Sequence, residues 1–291
     1  MIYIIHILRW IFKFIKFPIQ FLRLFYEDLK DDFKNKKISR KQKFVFVIGL
    51  PKSGTTLVEQ ILRSLGYIDQ SSSPLRILDN RNLKHPHDVS EEMFKKVPKS
   101  KLSFLKLHTH FNEENLKIIK KFNPKVIITF RNLTDVLISR FSHIISDDKH
   151  RHHKDVINLN FNDGFKKSLL IKNSDDTPVK PLDYFYFWIK DWKHALDERN
   201  LGFLTLNYEN YNLNKIKYVK SILEFLEIND VNLEELLVKI KLNHDKIKVN
   251  SLEKNLKKFI KPQTFNKNSK ETKKKLVISD IENFISENLP K

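Results

Sequence analysis

Residues 44–56 read Phe44-Val-Phe-Val-Ile-Gly-Leu-Pro-Lys-Ser-Gly-Thr-Thr56, an apolar run that ends in a glycine-bearing turn. The run is β-branched and aromatic, as a buried strand requires, and a helical pattern follows around 56–65. A strand, a glycine turn and a helix N-terminus aim backbone N–H groups at one point, where the helix dipole also favours an anion. The common ATP and GTP loop is spaced Gly-x-x-x-x-Gly-Lys-Ser/Thr. Gly49 and Gly54 keep that separation, but Thr55 stands where the lysine belongs and Lys52 lies two residues before Gly54. The loop suits a phosphate, and its cation comes from an unusual place.

Two further segments extend this pattern. Lys125–Phe130 is a short apolar run that leads into Arg131, then into a helical pattern over 133–146 with Asn132 or Thr134 as its cap. Arginine suits a phosphate because its planar fork donates two parallel hydrogen bonds. Ser139 falls more than one turn into that helix, facing back toward the strand end. Upstream, Leu105-Lys-Leu-His108 closes a strand-like run from Ser103. Lys106 and His108 alternate to one side of a strand. A histidine titrating near neutrality is a sensible general base. His110 is a rival for that role.

Pro51-Lys-Ser-Gly-Thr-Thr56, with Arg131/Ser139 and Lys106-x-His108 in this order, closely resembles the sulfotransferases. The resemblance implies 3′-phosphoadenosine 5′-phosphosulfate as donor, with no metal required. It implies that the N–H groups of Ser53, Gly54, Thr55 and Thr56 hold the 5′-phosphate while Lys52 meets the bridging oxygen. Arg131 and Ser139 would hold the 3′-phosphate, His108 would be the base and Lys106 would assist at the sulfuryl group. The family's Arg-Lys-Gly loop, a second 3′-phosphate clamp, is not present as such, and counting back from Ser279 puts Lys267 and Ser269 in its place. Cytosolic members carry a tryptophan that stacks on adenine where this chain has Leu57, so the loop looks more like bacterial branches, including relatives of protein-tyrosine sulfotransferases. Tyr208-Glu209 resembles the family's Tyr-Glu-Asp, chiefly structural there. Some branches use a glutamate base. Glu59 lies near the loop but is expected to point along its helix.

With 291 residues and 41% hydrophobic content, the chain supports one sizeable α/β domain plus appendages. Absence of cysteine excludes disulfides and thiolate metal sites. The formal charge of +19 draws polyanions. No nucleic-acid-binding motif accompanies it, so no nucleic-acid partner is expected. Lys149-His-Arg-His-His-Lys154 reads as a solvated basic loop rather than a metal site, because its cations oppose a metal ion. Tyr184, Phe185, Tyr186, Phe187, Trp188 and Trp192 form an aromatic cluster, mostly core, with room for one or two rings at an acceptor pocket.

The N-terminus is a separate device. Residues 1–25 are largely apolar, with His6, Arg9, Lys13, Lys16, Gln20 and Arg23 recurring every three or four positions. On a helix these fall on one narrow stripe. A spanning helix needs about 20 apolar residues free of charge, and a secretory signal gathers its charges ahead of its apolar region. The pattern fits an amphipathic helix lying in a membrane interface, kinked or divided at Pro18. Its rival is a helix packed on the protein's own core or on a partner subunit. Residues 1–43 are therefore taken as an amphipathic basic segment and linker, and 44–291 as the catalytic domain.

Phe44–Gly49, Ser103–Leu107, Lys125–Phe130 and Gly202–Leu206 are the expected strands. Helical patterns lie around 56–65, 113–121, 133–146, 183–199 and 212–227, and a last helix is capped by Ser279 or Asp280. Residues 66–101 and 146–182 read as active-site loops or lids. This alternation predicts a three-layer α/β fold with a central, mostly parallel sheet flanked by helices, of the P-loop nucleotide-kinase-like kind. The expected activity is sulfuryl transfer to a hydroxyl or amine of a lipid, glycan or small molecule. The expected location is the cytoplasmic face of a membrane, reached through residues 1–26, or otherwise the cytoplasm. The alternatives are a P-loop kinase or NTPase, and a non-catalytic membrane- or nucleic-acid-binding protein on the same scaffold.

Overall fold

The computed structural model describes residues 43–71, 87–97, 101–172, 179–241, 276 and 278–290. The N-terminal segment expected to form an amphipathic helix, Lys267 and Ser269 lie outside the described residues.

Five strands form one sheet: β1 (Phe44–Gly49), β2 (Ile68–Asp69), β3 (Ser103–Leu107), β4 (Lys125–Phe130) and β5 (Leu204–Asn207), in the order β2-β3-β1-β4-β5. Every pairing is parallel. β1 is central and buried on both faces, which explains why its sequence is continuously apolar. Its residues alternate between two cores. Phe46 and Ile48 join a cluster with Val136, Phe141, Trp188 and Trp192, whereas Val45 and Val47 join one with Val58, Ile61, Val219 and Ile222. Each of these fully buried side chains contributes about 1.5–3 kcal/mol. The expected three-layer architecture is the observed one.

On one face lie α1 (Thr55–Ser64), α8 (Tyr208–Leu213), α9 (Lys215–Phe225) and the helix over 233–241, here α10. On the other lie α2 (Glu91–Lys96), α3 (Glu113–Phe122), α4 (Leu133–Ser146), α5 (His153–Val156), α6 (Phe161–Leu170), α7 (Pro181–Arg199) and α11 (Ile278–Asn288). Local chemistry sets the boundaries. Ser90, Asn112, Asn132, Asn160 and Asn214 each accept a backbone N–H at a helix start. Asn123 and Asn200 close α3 and α7 in the left-handed conformation.

Several sequence expectations need correction. The expected loop 66–101 contains β2 and α2, and the expected loop 146–182 contains α5 and α6. β5 starts two residues later than expected, and the helix expected over 212–227 is two helices parted at Asn214. Ser279 and Asp280 lie inside α11 rather than capping it. The segment 149–154 is not simply solvated, because His152 is buried and His153 Nδ1 donates to the Ile144 carbonyl at 2.9 Å.

Candidate functional site

Sheet register brings the candidate residues together. Ile48 pairs with Leu107 and Gly49 with Thr129, so the loop after β1, His108 after β3 and Arg131 after β4 leave the sheet side by side. This is the carboxyl edge of a parallel sheet, where such folds bind ligands.

The loop is tightly built. Ser53 donates its Oγ–H to the Leu50 carbonyl (2.8 Å) and contacts Thr129 Oγ1 (2.9 Å), so its buried side chain anchors the turn. Its backbone N–H also goes to Leu50, at 3.1 Å. Ser53 therefore shapes the loop, and no acceptor among the described residues takes the N–H groups of Gly54, Thr55 and Thr56. A Cβ on Gly49 would sit 2.0 Å from Thr129 Oγ1, which is impossible without rebuilding the strand end. Lys52 adopts φ 72° and Gly54 φ 103°. For lysine this left-handed conformation is strained, and such strain collects at binding sites. Unlike α4, which Asn132 caps, α1 is led by Gly54 with no side-chain cap. Its first N–H groups have no acceptor within the helix. Lys52 reaches solvent, yet the protein crowding its ammonium holds the pKa below the ordinary lysine value.

His108 Nδ1 hydrogen-bonds the Gly49 carbonyl. A carbonyl only accepts, so Nδ1 carries the proton and Nε2 of the neutral ring keeps its lone pair. Burial is the main influence lowering the His108 pKa, and the charges of Lys106 and Lys52 lower it further against the raising effect of the Gly49 bond. Neutral His108 with an available Nε2 is thus the resting form near pH 7. His87, which sequence reading passes over, stands edge-on to the His108 ring at 5.4 Å.

His110 is placed differently. Its ring packs edge-on against Tyr184 at 4.4 Å, and its carbonyl accepts from Asn115. Burial, and after it the charge of Asp88, raises the Tyr184 hydroxyl pKa above its ordinary value. Two indoles brace the segment between the histidines: Trp188 and Trp192 both donate Nε1–H to the Thr109 carbonyl at 2.9 Å. Phe185, Trp188 and Trp192 of the α7 aromatic cluster are therefore core, the two indoles also position the β3–α3 turn, and Phe187 is exposed.

Arg131 donates to the Lys52 carbonyl (3.1 Å), and its guanidinium lies 4.8 Å from the Tyr208 ring centroid. Its Nε is buried and has no partner among the described residues. An orphaned charged donor beside an uncapped helix N-terminus fits a phosphorylated ligand. Tyr208 also fills the space over Gly54, where an added Cβ would meet its ring at 2.6 Å. Glu209 Oε1 accepts the Asn132 N–H at 2.8 Å. Asn132, not Thr134, caps α4. Ser139 lies in the second turn of α4, half-buried, and Leu57 is buried in the second core cluster.

Lys106 forms an ion pair with Glu59. Glu59 therefore reaches across from α1 to β3 besides pairing with Arg63 one turn on, a correction to the expectation that it points along the helix. Among the described residues no cluster of His, Cys, Asp or Glu could hold a metal ion. A cavity of about 400 Å³ lies along β5 and α9, lined by Leu204, Leu206, Asn214, Lys217 and Tyr218, and includes none of these site residues.

The model of the sulfotransferase domain matches residues 42–288. No curated protein sequence gives a significant match. Among solved structures, retinol dehydratase in complex with androsterone and inactive cofactor PAP is similar with a TM-score of 0.51 and 17% identity, over 89% of this chain and 84% of that one. Retinol dehydratase with retinol and PAP gives 0.47 and 19%, over 90% and 85%. Mouse sulfotransferase SULT7A1 complexed with PAP gives 0.45 and 19%, over 70% of this chain and 65% of that chain, just under two thirds of its length. With the family model matching most of its length, this chain belongs to the sulfotransferase family.

Proposed function

We propose that this protein transfers a sulfuryl group from 3′-phosphoadenosine 5′-phosphosulfate to a hydroxyl or amine. The observation that carries this reading is the commitment of His108 Nδ1 to Gly49, which leaves Nε2 as a base beside Lys52 and Lys106. Chemically, His108 Nε2 takes the acceptor's proton as the acceptor O–S or N–S bond forms. The S–O bond to the 5′-phosphate breaks, and adenosine 3′,5′-bisphosphate leaves with the electron pair. The N–H groups of Gly54, Thr55 and Thr56 hold the 5′-phosphate, and Lys52 answers the charge that develops on the bridging oxygen. Arg131, whose Nε has no partner among the described residues, and Ser139 take the 3′-phosphate. Positioning and charge neutralisation carry most of such a transfer.

The acceptor class we favour is a lipid or a membrane-made glycan. Support comes from the basic stripe of residues 1–26, which suits a helix lying on the cytoplasmic face of a membrane. No described helix is long and apolar enough to cross one. Deleting 1–26 should release the protein from anionic vesicles.

The deciding experiment follows radiolabelled sulfate from the donor into lipid and metabolite extracts, with wild type and His108→Ala, in the presence of EDTA. Wild type should label a product and His108→Ala should not, while still binding adenosine 3′,5′-bisphosphate. Labelling that depends on added Mg²⁺ would favour a kinase-like reading. Undiminished turnover by His108→Ala would remove His108 as the base.

A further inference from the structure

The Glu59 carboxylate stands beside the lysines of this site. Glu59 projects from the second turn of α1, its side chain 14% exposed, and pairs through Oε2 with Lys106, itself 24% exposed. Its other oxygen, Oε1, accepts from Arg63 Nε at 3.0 Å. Arg63 in turn donates from Nη2 to Asp69 Oδ2 at 2.9 Å, at the end of β2. Asp69 is 2% exposed and is itself held, through Oδ1, by the Ser71 N–H at 2.8 Å. Four charged groups thus run in alternating sign from the edge of the sheet to the reaction centre.

Glu59 has the wrong sign for anion binding. Its negative charge, close to the donor site, opposes a donor that carries several of its own. The geometry accounts for it in another way. Lysine is a point charge on a flexible four-carbon stem, and holding one geometry costs it rotamer entropy. A carboxylate fixed from behind by Arg63 and Asp69 restricts that stem before the donor arrives. An ammonium has three donors, so one bond to Glu59 leaves two for sulfuryl oxygens.

We propose that Glu59 is a positioning residue for sulfuryl transfer, holding the Lys106 ammonium at the reaction centre through an ion-pair chain anchored on Asp69. This rests on the functional reading above. Glu59 acts through Lys106, lowering donor affinity by its charge and raising turnover by its placement.

These opposite effects make the test specific. Glu59→Gln keeps the shape and removes the charge. The initial rate of labelled sulfate transfer at saturating donor should fall about 10- to 100-fold, as for other small misplacements of a reacting group. The Kd for adenosine 3′,5′-bisphosphate, measured calorimetrically, should stay unchanged or tighten. Glu59→Asp, which keeps a carboxylate, should recover part of the rate. Independently of turnover, acylation of Lys106 by an amine-reactive ester, followed by peptide mapping, should be several-fold faster in Glu59→Gln than in wild type.

A rate within twofold of wild type overturns the proposal, as does bisphosphate affinity that weakens together with the rate. If wild type transfers no sulfate at all, the functional reading fails, and the acylation rates alone decide whether Glu59 holds Lys106. Equal acylation in the two proteins counts against it.

Discussion

His108 faces the carbonyl of Gly49, so the residue that ends β1 and opens the loop after it also fixes the tautomer of the proposed base. The loop and the His108 ring are therefore one mechanical unit. Their coupling predicts the pH dependence of turnover. Burial and the neighbouring lysines depress the His108 pKa below its ordinary value of 6.5. Base catalysis needs the neutral ring, so rate should be level near pH 7 and fall only as pH drops below 6.5 toward the depressed value. A pH–rate profile at saturating donor checks this. An acid limb centred above 7 would contradict the assigned environment.

Arg131 should dominate affinity for the 3′-phosphate. It is held by the Lys52 carbonyl and the Tyr208 ring, and its Nε has no partner among the described residues. Arg131→Ala should weaken binding of adenosine 3′,5′-bisphosphate by about 2–5 kcal/mol, the usual cost of truncating one side of a buried charged contact. Arg131→Lys should not restore it, because an ammonium lacks the planar fork. Calorimetric titration of the three proteins decides the point. Equal affinities would place the 3′-phosphate elsewhere.

Gly54 offers a test of the loop's backbone. At φ 103° any side chain is strained, and a Cβ would also strike the Tyr208 ring. Gly54→Ala should cost about 1–3 kcal/mol of stability and weaken bisphosphate binding by turning the α1 N–H groups away. Adding Tyr208→Ala removes the clash but not the strain, so the double variant should remain impaired in chemical denaturation. Complete rescue would mean that only the ring contact mattered.

The sequence makes β1 and β4 legible because each is a largely apolar run, the signature of a strand buried on both faces, and β3 legible from Phe104, Leu105 and Leu107 around Lys106. The loop, His108, Lys106 and Arg131 are legible because they sit at fixed offsets from those strand ends. Contacts between distant segments are not. Nothing in the pattern of α7 announces that Trp188 and Trp192 converge on the Thr109 carbonyl, or that Tyr208 closes over Gly54. Glu59 shows the same limit, since spacing reveals its neighbour Arg63 on α1 but not Lys106 on β3. β2 has only two residues, too few to carry a period.

The paired indoles lead to a prediction of non-additivity. Trp188 and Trp192 share one buried acceptor, so losing either leaves the Thr109 carbonyl satisfied by the other. Each single Trp→Phe change should cost mainly packing. The double change also orphans the carbonyl, adding about 1–3 kcal/mol beyond the sum of the singles. A denaturant double-mutant cycle measures that excess directly. Simple additivity would show that a water or another donor replaces the indoles.

Acid should loosen the far end of α4 before it disables anything else there. His150 Nδ1 accepts the His152 N–H at 3.1 Å, a bond available only to the unprotonated nitrogen. Burial first, then the charges of Arg140, His143 and His152, push the His150 pKa down from 6.5 to about 4, and burial lowers His152 as well. Folded-state pKa values below the unfolded ones mean that the unfolded chain takes up protons first as pH falls. The stability these groups contribute is complete above pH 6.5 and is lost progressively toward pH 4. His150→Asn keeps an acceptor for the His152 N–H and removes the titration. Melting temperature followed from pH 7 to 4 should therefore fall less steeply in His150→Asn than in wild type. Parallel curves would show that His150 contributes nothing to the acid sensitivity.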